Sequence, residues 1–223
     1  MVKICGINDA AGFDAALAAG ADLVGFVFFP PSPRAVSPAV AASLSARQAG
    51  GAGRVGLFVD PDDALLEAVL AALPLDLIQL HGAESPERCA MLRARFGRPV
   101  MKALGIAAES DLAALDRYAG AVDRFLLDAK PVPGDALPGG NARRFDWSLP
   151  TRRRIPLPWL LAGGLTPANV ADAIAESGAP GVDVSSGVER ARGVKDPAMV
   201  AAFVASAHAA PDAAPRRMAR PAT

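Results

Sequence analysis

A thiol in Lys3-Ile4-Cys5-Gly6, a carboxyl in Phe125-Leu126-Leu127-Asp128, a guanidinium at Arg34 and an imidazole at His81 are the side chains with chemistry to offer. Each stands at or just past the end of a short apolar run that reads as a β-strand. A thiol and a carboxyl brought to one face can work as base and acid in proton transfer. Gly163-Gly164 and Ser185-Ser186-Gly187 add two uncluttered turns whose backbone N–H groups can approach an anion closely. The set points to acid–base chemistry on a phosphorylated small molecule.

Each residue also has a plainer reading. A strand cysteine is often a small buried hydrophobe, and Cys5 by itself is an even choice between base and filler. Cys89, within Glu87-Arg88-Cys89-Ala90 on a helix, reads as filler. A carboxylate at a strand end is often a helix cap, but Ala129-Lys130-Pro131-Val132-Pro133 after Asp128 is not helical. That leaves Asp128 as a credible general acid. The proline-dense run Pro30-Pro31-Ser32-Pro33 would present Arg34 with little entropy to lose, for bidentate capture of a carboxylate or phosphate. A solvated surface arginine fits the local sequence equally well. His81 either binds substrate or bonds backbone at the site's mouth. Asp60, before Pro61, reads as a structural cap.

These side chains must be positioned by strands. Eight candidates recur: Val2–Cys5, Leu23–Phe29, Arg54–Val59, Leu75–Leu80, Val100–Gly105, Arg124–Asp128, Trp159–Ala162 and Gly181–Val184. Most are continuously apolar rather than alternating, as expected of strands buried on both faces of a parallel sheet. Between them lie Ala/Leu-rich amphipathic stretches. Ser37-Pro38, Asp60-Pro61, Ser85-Pro86, Thr166-Pro167 and Asp196-Pro197 each put a capping oxygen before a proline, a helix-start signature. Gly20 and Gly50 sit at or past helix ends. Eight βα units predict a single-domain (β/α)8 TIM barrel over residues 1–208. An open doubly wound sheet would want a Gly-rich fingerprint after strand one, where Cys5-Gly6-Ile7-Asn8 stands instead. The barrel gathers strand C-termini on one face, and phosphate commonly binds there in the loops after strands seven and eight. The sixth unit is irregular: Ala129 to Asn141 is rich in proline and glycine and reads as a long loop. From Ala209 the chain turns to Ala, Pro and Arg without periodicity, so 209–223 reads as a disordered tail.

Composition narrows the setting. The chain has 223 residues, 23 basic and 23 acidic, so nothing suggests a nucleic-acid footprint. No apolar run is long enough for a membrane span, and the N-terminus has no signal-peptide layout. Two cysteines make no disulfide framework, and no Cys/His spacing suggests a metal site. A cytoplasmic protein with reduced thiols is expected.

Beyond these readings, an ordered set of segments resembles the phosphoribosylanthranilate isomerase family. It comprises Lys3-Ile4-Cys5-Gly6, Val24-Gly25-Phe26-Val27-Phe28 with Ser32 and Arg34, Gln79-Leu80-His81-Gly82, Leu127-Asp128, Phe145-Asp146-Trp147, Ala162-Gly163-Gly164-Leu165 with Pro167 and Asn169, and Val182-Asp183-Val184-Ser185-Ser186-Gly187-Val188-Glu189. The resemblance runs from Val2 to about Val204. It implies a (β/α)8 barrel of tryptophan biosynthesis that performs an Amadori rearrangement of N-(5-phosphoribosyl)anthranilate, with no cofactor or metal. It further implies Cys5 as general base, Asp128 as general acid and Arg34 as ligand of the anthranilate carboxylate. Phosphate would be held by Gly163, Gly164, Ser185, Ser186 and Gly187. A small phosphoribosyl molecule would be the only partner, and the state a monomer or homodimer. One departure stands out: where the family has Gly-Gly-Ser/Thr-Gly, this chain has Gly139-Gly140-Asn141-Ala142. Activity is expected to survive with an altered loop contact, and Ala142 is given no phosphate role. The role of Lys3, a layer below Cys5, is open. Two other readings are a different phosphosugar barrel enzyme and a degenerate barrel that only binds a phosphorylated ligand. Neither calls for both Cys5 and Asp128.

Overall fold

The computed structural model describes residues 1–132, 134, 139–140 and 142–210. Eight parallel strands close into a barrel: β1 Val2–Cys5, β2 Leu23–Val27, β3 Gly53–Phe58, β4 Leu77–Leu80, β5 Val100–Ile106, β6 Arg124–Ala129, β7 Trp159–Leu161 and β8 Val182–Val184. Their order around the barrel is their order in the chain, and β8 closes onto β1 with Lys3 beside Asp183. The expected strands are all present, with ends shifted by a residue or two.

The continuous apolar runs are explained by two cores. Outward side chains such as Phe26, Phe58, Ile78, Phe125 and Leu127 pack under the helices. Inward ones, Val55, Leu77, Met101, Leu126 and Leu160, fill the lower barrel. A smaller layer of Cys5, Val27 and Leu57 lies apart, with Phe29 and Val59 packed on it. Each fully buried Leu or Phe contributes about 1.5–3 kcal/mol, so the two cores dominate stability.

Helices follow most strands: α1 Ala10–Ala18, α2 Pro38–Ser45, α3 Asp63–Ala72, α4 Pro86–Phe96, α5 Ala114–Tyr118, α6 Val170–Ser177 and α7 Pro197–Ala209. Three of the proline-marked starts hold: Ser37, Ser85 and Asp196 each cap with the side chain accepting from backbone N–H groups. Two do not. Helix α3 is capped by Asp62, whose side chain accepts from Leu65 N. Asp60 instead takes a left-handed φ of 46°. Its Oδ1 accepts from Ala83 N while its own N–H donates to Glu84, tying the loop after β3 to the loop after β4. Pro61 after Asp60 therefore marks a turn. Likewise Thr166-Pro167 opens a turn, and α6 begins later, at Val170 after Asn169. Asn169 crosses that turn, accepting from Thr166 N and donating to Gly164 O.

Between β6 and β7 there is no α-helix among the described residues, only a 3₁₀ turn at Leu149–Arg152. That agrees with the irregular sixth unit. After β8 a 3₁₀ turn at Ser186–Val188 leads into a small antiparallel hairpin, β9 Glu189–Ala191 and β10 Val194–Lys195. The hairpin has no counterpart among the eight expected strands. Asn141 and the tail from 211 onward lie outside the described residues.

If Asp62 rather than Asp60 caps α3, Asp62→Ala should lower stability by about 1 kcal/mol, the usual value of a lost side-chain cap. Urea unfolding checks this; an unchanged midpoint would return the capping role to another residue.

Candidate active site

One pocket opens at the C-terminal ends of the strands. Its lining includes Cys5, Arg34, His81, Asp128, Gly163, Gly164, Ser185, Ser186 and Gly187, the whole set expected from strand ends. Strand order decides how they face one another. Cys5 ends β1 and Asp128 lies in β6, so β7 and β8 form the arc between them on one side. That arc carries the glycines and serines. The arc on the other side runs from β2 to β5, and its first two strands with the residues just past them present Val27, Phe29, Leu57 and Val59 to the pocket. The pocket thus has an end lined by glycines and serines, an apolar wall, and a thiol and a carboxyl on its two flanks.

The loops of the glycine- and serine-lined end are pressed together. A Cβ on Gly187 would stand 1.8 Å from Leu165 O, so only glycine lets the loop after β8 cross the loop after β7. Gly163 and Gly164 both have positive φ, and Asn169 braces their turn. Two successive left-handed glycines thus make a tight turn at the pocket wall.

Asp128 is nearly buried, and its Oδ1 accepts from Ala129 N at 2.8 Å. Its Oδ2 lies 3.5 Å from His81 Nε2. On the far side of the ring, His81 Nδ1 is 3.2 Å from Gln79 Nε2. The imidazole thus stands between the Gln79 amide and the Asp128 carboxyl. The histidine therefore bonds side chains rather than backbone. Loop six folds over this pair: a Cβ on Gly139 would lie 2.7 Å from His81 Nε2 and 2.8 Å from Asp128 Oδ2. Farther along the loop, Ala142 keeps a left-handed φ of 55° without glycine's freedom, a strain of about 1–2 kcal/mol.

Arg34 is buried, which removes the solvated-surface reading. It is also not a fork waiting for a ligand. Its Nε donates to Glu189 Oε1 at 2.7 Å and its Nη2 to Glu189 Oε2 at 3.0 Å. The expected bidentate capture is thus spent on the chain's own carboxylate. Nη1 faces loop six, 2.8 Å from where a Cβ on Gly140 would stand. Glu189 also accepts from Lys195 Nζ at 2.9 Å and from Gly193 N at 3.0 Å. Burial alone would raise the Glu189 carboxyl, but Arg34, Lys195 and the Gly193 N–H bring it down to about 2. Lys195 in turn donates to Ser185 O and lies 3.4 Å from Ser185 Oγ.

Two charged residues under the pocket have no role that the sequence alone assigns. Lys3 is fully buried and donates to Asp183 Oδ1 at 2.7 Å. Asp183 reaches the pocket wall. Burial pushes the Cys5 thiol above its ordinary value, while Lys3 pulls it down, Asp183 pushes it up and Lys195 pulls it down. Cys89 is buried in α4 and raised to about 11 chiefly by that burial, which keeps it inert. Glu189 and Lys195 could not be found from local pattern. Their partners lie far away in the chain, and their hairpin has only three- and two-residue strands. The described residues contain no group of His, Cys, Asp and Glu arranged to hold a metal, and no helix long and apolar enough to cross a membrane.

A family model described as N-(5'phosphoribosyl)anthranilate (PRA) isomerase matches residues 2–206. An N-(5'-phosphoribosyl)anthranilate isomerase of Paracoccus denitrificans is 60% identical over 208 residues, 93% of this chain and 97% of the relative. The crystal structure of phosphoribosyl anthranilate isomerase from Thermotoga maritima superposes with a TM-score of 0.83 at 37% identity, covering 93% of this chain and 98% of that one. Another solved isomerase, in complex with reduced 1-(o-carboxyphenylamino)-1-deoxyribulose 5-phosphate, gives a TM-score of 0.80 at 36% identity, covering 93% and 97%.

The depressed Glu189 carboxyl fixes the sign of an acid effect. Its folded value lies below its unfolded one, so its contribution is complete above about pH 4.5 and drains away as pH falls toward 2. Unfolding midpoints at descending pH should show up to roughly 3 kcal/mol lost across that window, a limb that Glu189→Gln should lack. Parallel curves for the two proteins would refute the assignment.

Proposed function

The chain belongs to the N-(5'-phosphoribosyl)anthranilate isomerase family, and we propose that Cys5 and Asp128 are the base and the acid of its reaction. The protein is an isomerase of tryptophan biosynthesis. It converts N-(5-phosphoribosyl)anthranilate to 1-(2-carboxyphenylamino)-1-deoxyribulose 5-phosphate by an Amadori rearrangement. One observation carries the assignment of roles: Cys5 and Asp128 line one pocket from opposite flanks of the β7–β8 arc.

In this reading the phosphate rests against the loops that carry Gly163, Gly164, Ser185, Ser186 and Gly187. A phosphate anchored between the two flanks sets the ribose between acid and base. Asp128 gives its proton to the furanose ring oxygen as the bond from C1 to that oxygen breaks. The electron pair of the anilino nitrogen forms the iminium at C1, which acidifies the proton on C2. Cys5, as thiolate, takes that proton, and the electrons left behind make the enolamine. Loss of the hydroxyl proton at C2 and gain of a proton at C1 give the ketone. No electron leaves the substrate, and no cofactor is called for.

The aromatic ring lies against Val27, Phe29, Leu57 and Val59, with its carboxylate toward Arg34 Nη1. Glu189 holds the guanidinium still, so the contact is preorganised though single-pronged. His81, with Nε2 3.5 Å from Asp128 Oδ2, holds the carboxyl in place at the pocket wall. The roles named above fall on residues of a single chain, a reading compatible with either a monomer or a homodimer. Two unpaired thiols fit a cytoplasmic setting.

A fluorescence assay following substrate loss tests the acid and base. Cys5→Ser and Asp128→Asn should each lower kcat by at least ~100-fold, the usual scale for a positioned acid or base. A near-wild-type rate in either variant removes that residue from the mechanism. Arg34→Ala should weaken binding of the carboxyphenylamino product by about tenfold or more, as for a lost hydrogen bond to a charged group, while leaving inorganic phosphate affinity alone. A fall in phosphate affinity instead would assign Arg34 to the phosphate site.

A further inference from the structure

Cys5 needs to become a thiolate in a place that resists it. The sulfur is almost wholly buried. Val27, Leu57, Phe29 and Val59 surround it from the side of β2 and β3 with nothing but hydrocarbon. From β8 comes Asp183, a carboxylate, which disfavours a second negative charge nearby. A reaction in which Cys5 is the base therefore requires a compensating cation close to the sulfur.

The barrel provides one below the pocket. Lys3 and Cys5 are two apart on β1 and point to the same side of the sheet. A notch in β2 lets them converge. A Cβ on Gly25 would stand 3.0 Å from Cys5 Sγ and 3.2 Å from Lys3 Nζ, so both groups border the space left by one missing methyl. They therefore lie within about 6 Å of each other, the range over which an opposite charge moves a titration. Lys3 has no freedom to leave. Asp183, its register partner across the barrel seam, accepts its proton at 2.7 Å.

We propose that Lys3 is a positioning residue for the isomerisation: anchored by Asp183 and admitted by Gly25, its ammonium is the counter-charge against which the Cys5 thiolate forms. The proposal rests on the reading of Cys5 as the base. Lys3 itself is absent from the pocket lining, unlike Asp183. It acts on the sulfur and never on the substrate. Charged groups facing Cys5 from other elements are Asp183 of β8, which opposes ionisation, and Lys195 of β10, which favours it. Arg34 reaches the neighbouring Gly6 with its methylenes. Burial lowers Lys3, but Asp183 and Cys5 outweigh it and hold Lys3 above the ordinary lysine value, so the ammonium persists wherever the enzyme works.

The test titrates the sulfur without the reaction. Alkylation of Cys5 in ligand-free full-length protein by iodoacetamide, followed on its own peptide by mass spectrometry across pH, gives the thiol midpoint. In Lys3→Met that midpoint should move up by about one pH unit or more. At pH 7, kcat/KM should drop by the matching factor of ten or more and recover as pH rises, with the loss in kcat rather than KM. Gly25→Ala, which wedges a methyl between the two groups and leaves both charges in place, should move the midpoint in the same direction. Its titration decides the matter if circular dichroism shows that Lys3→Met has not folded. An unmoved midpoint in the folded variants overturns the proposal, even where activity is lost, because Lys3 would then serve only the fold. Full activity of Cys5→Ser would overturn the base assignment instead, a result that the titration does not touch.

Discussion

Closure of β8 onto β1 is the constraint on which the rest of the molecule depends. The seam is short: three register pairs join the two strands, and a single one joins β7 to β8. At its centre lies the Lys3–Asp183 ion pair, with the lysine fully buried. A buried pair of this kind is not a large net stabiliser, since desolvating two charges offsets most of their attraction. Its value is in register. Slipping β8 by one residue would turn Asp183 away from the barrel and leave a buried ammonium alone, an error that costs several kcal/mol. With the register held, Ser185 and Ser186 reach the same pocket as Cys5, and the arc of strands between Cys5 and Asp128 is complete.

A second charged knot fixes the other side of the mouth. Glu189 binds Arg34, Lys195 and the turn at Gly193 at once, so the β9–β10 hairpin is fastened to the loop after β2. Asn8 adds a bond from the first loop to Gly193 O. The hairpin is too small to fold by itself, and these polar bonds give it a place. In return it holds Arg34 in one orientation at the pocket wall, leaving a long side chain little rotamer freedom.

The linear sequence exposed most of this architecture because a parallel barrel repeats one pattern eight times. Strands buried on both faces read as apolar runs, and Ser37, Ser85 and Asp196 could be recognised as caps from two adjacent residues. The same shorthand failed at Asp60 and Thr166, where proline follows a polar residue in a turn. There the competing interactions come from another loop or from Asn169. Cys5, Asp128 and the glycine turns were legible because strand ends in this fold converge on one face. Glu189 and Lys195 were not. Arg34 and Glu189 are 155 residues apart, and no local spacing announces such a pair. Lys3 was visible but uninterpretable until Gly25 showed where its ammonium goes.

The choice of a thiol at this position follows from its surroundings. A carboxylate in place of Cys5 would sit buried among Val27 and Leu57 and beside Asp183. Two like charges in such a site cannot both ionise without a large penalty. One would hold a proton and draw Lys3 into a shared network. A thiol avoids that conflict because its resting form is neutral and buries at little cost. On the proposed mechanism a thiolate at Cys5 would be met by the substrate iminium above it and by Lys3 below. The burial that raises the Cys5 thiol thus favours its neutral form in the folded protein, and Lys3 beneath it is the nearby charge that works the other way.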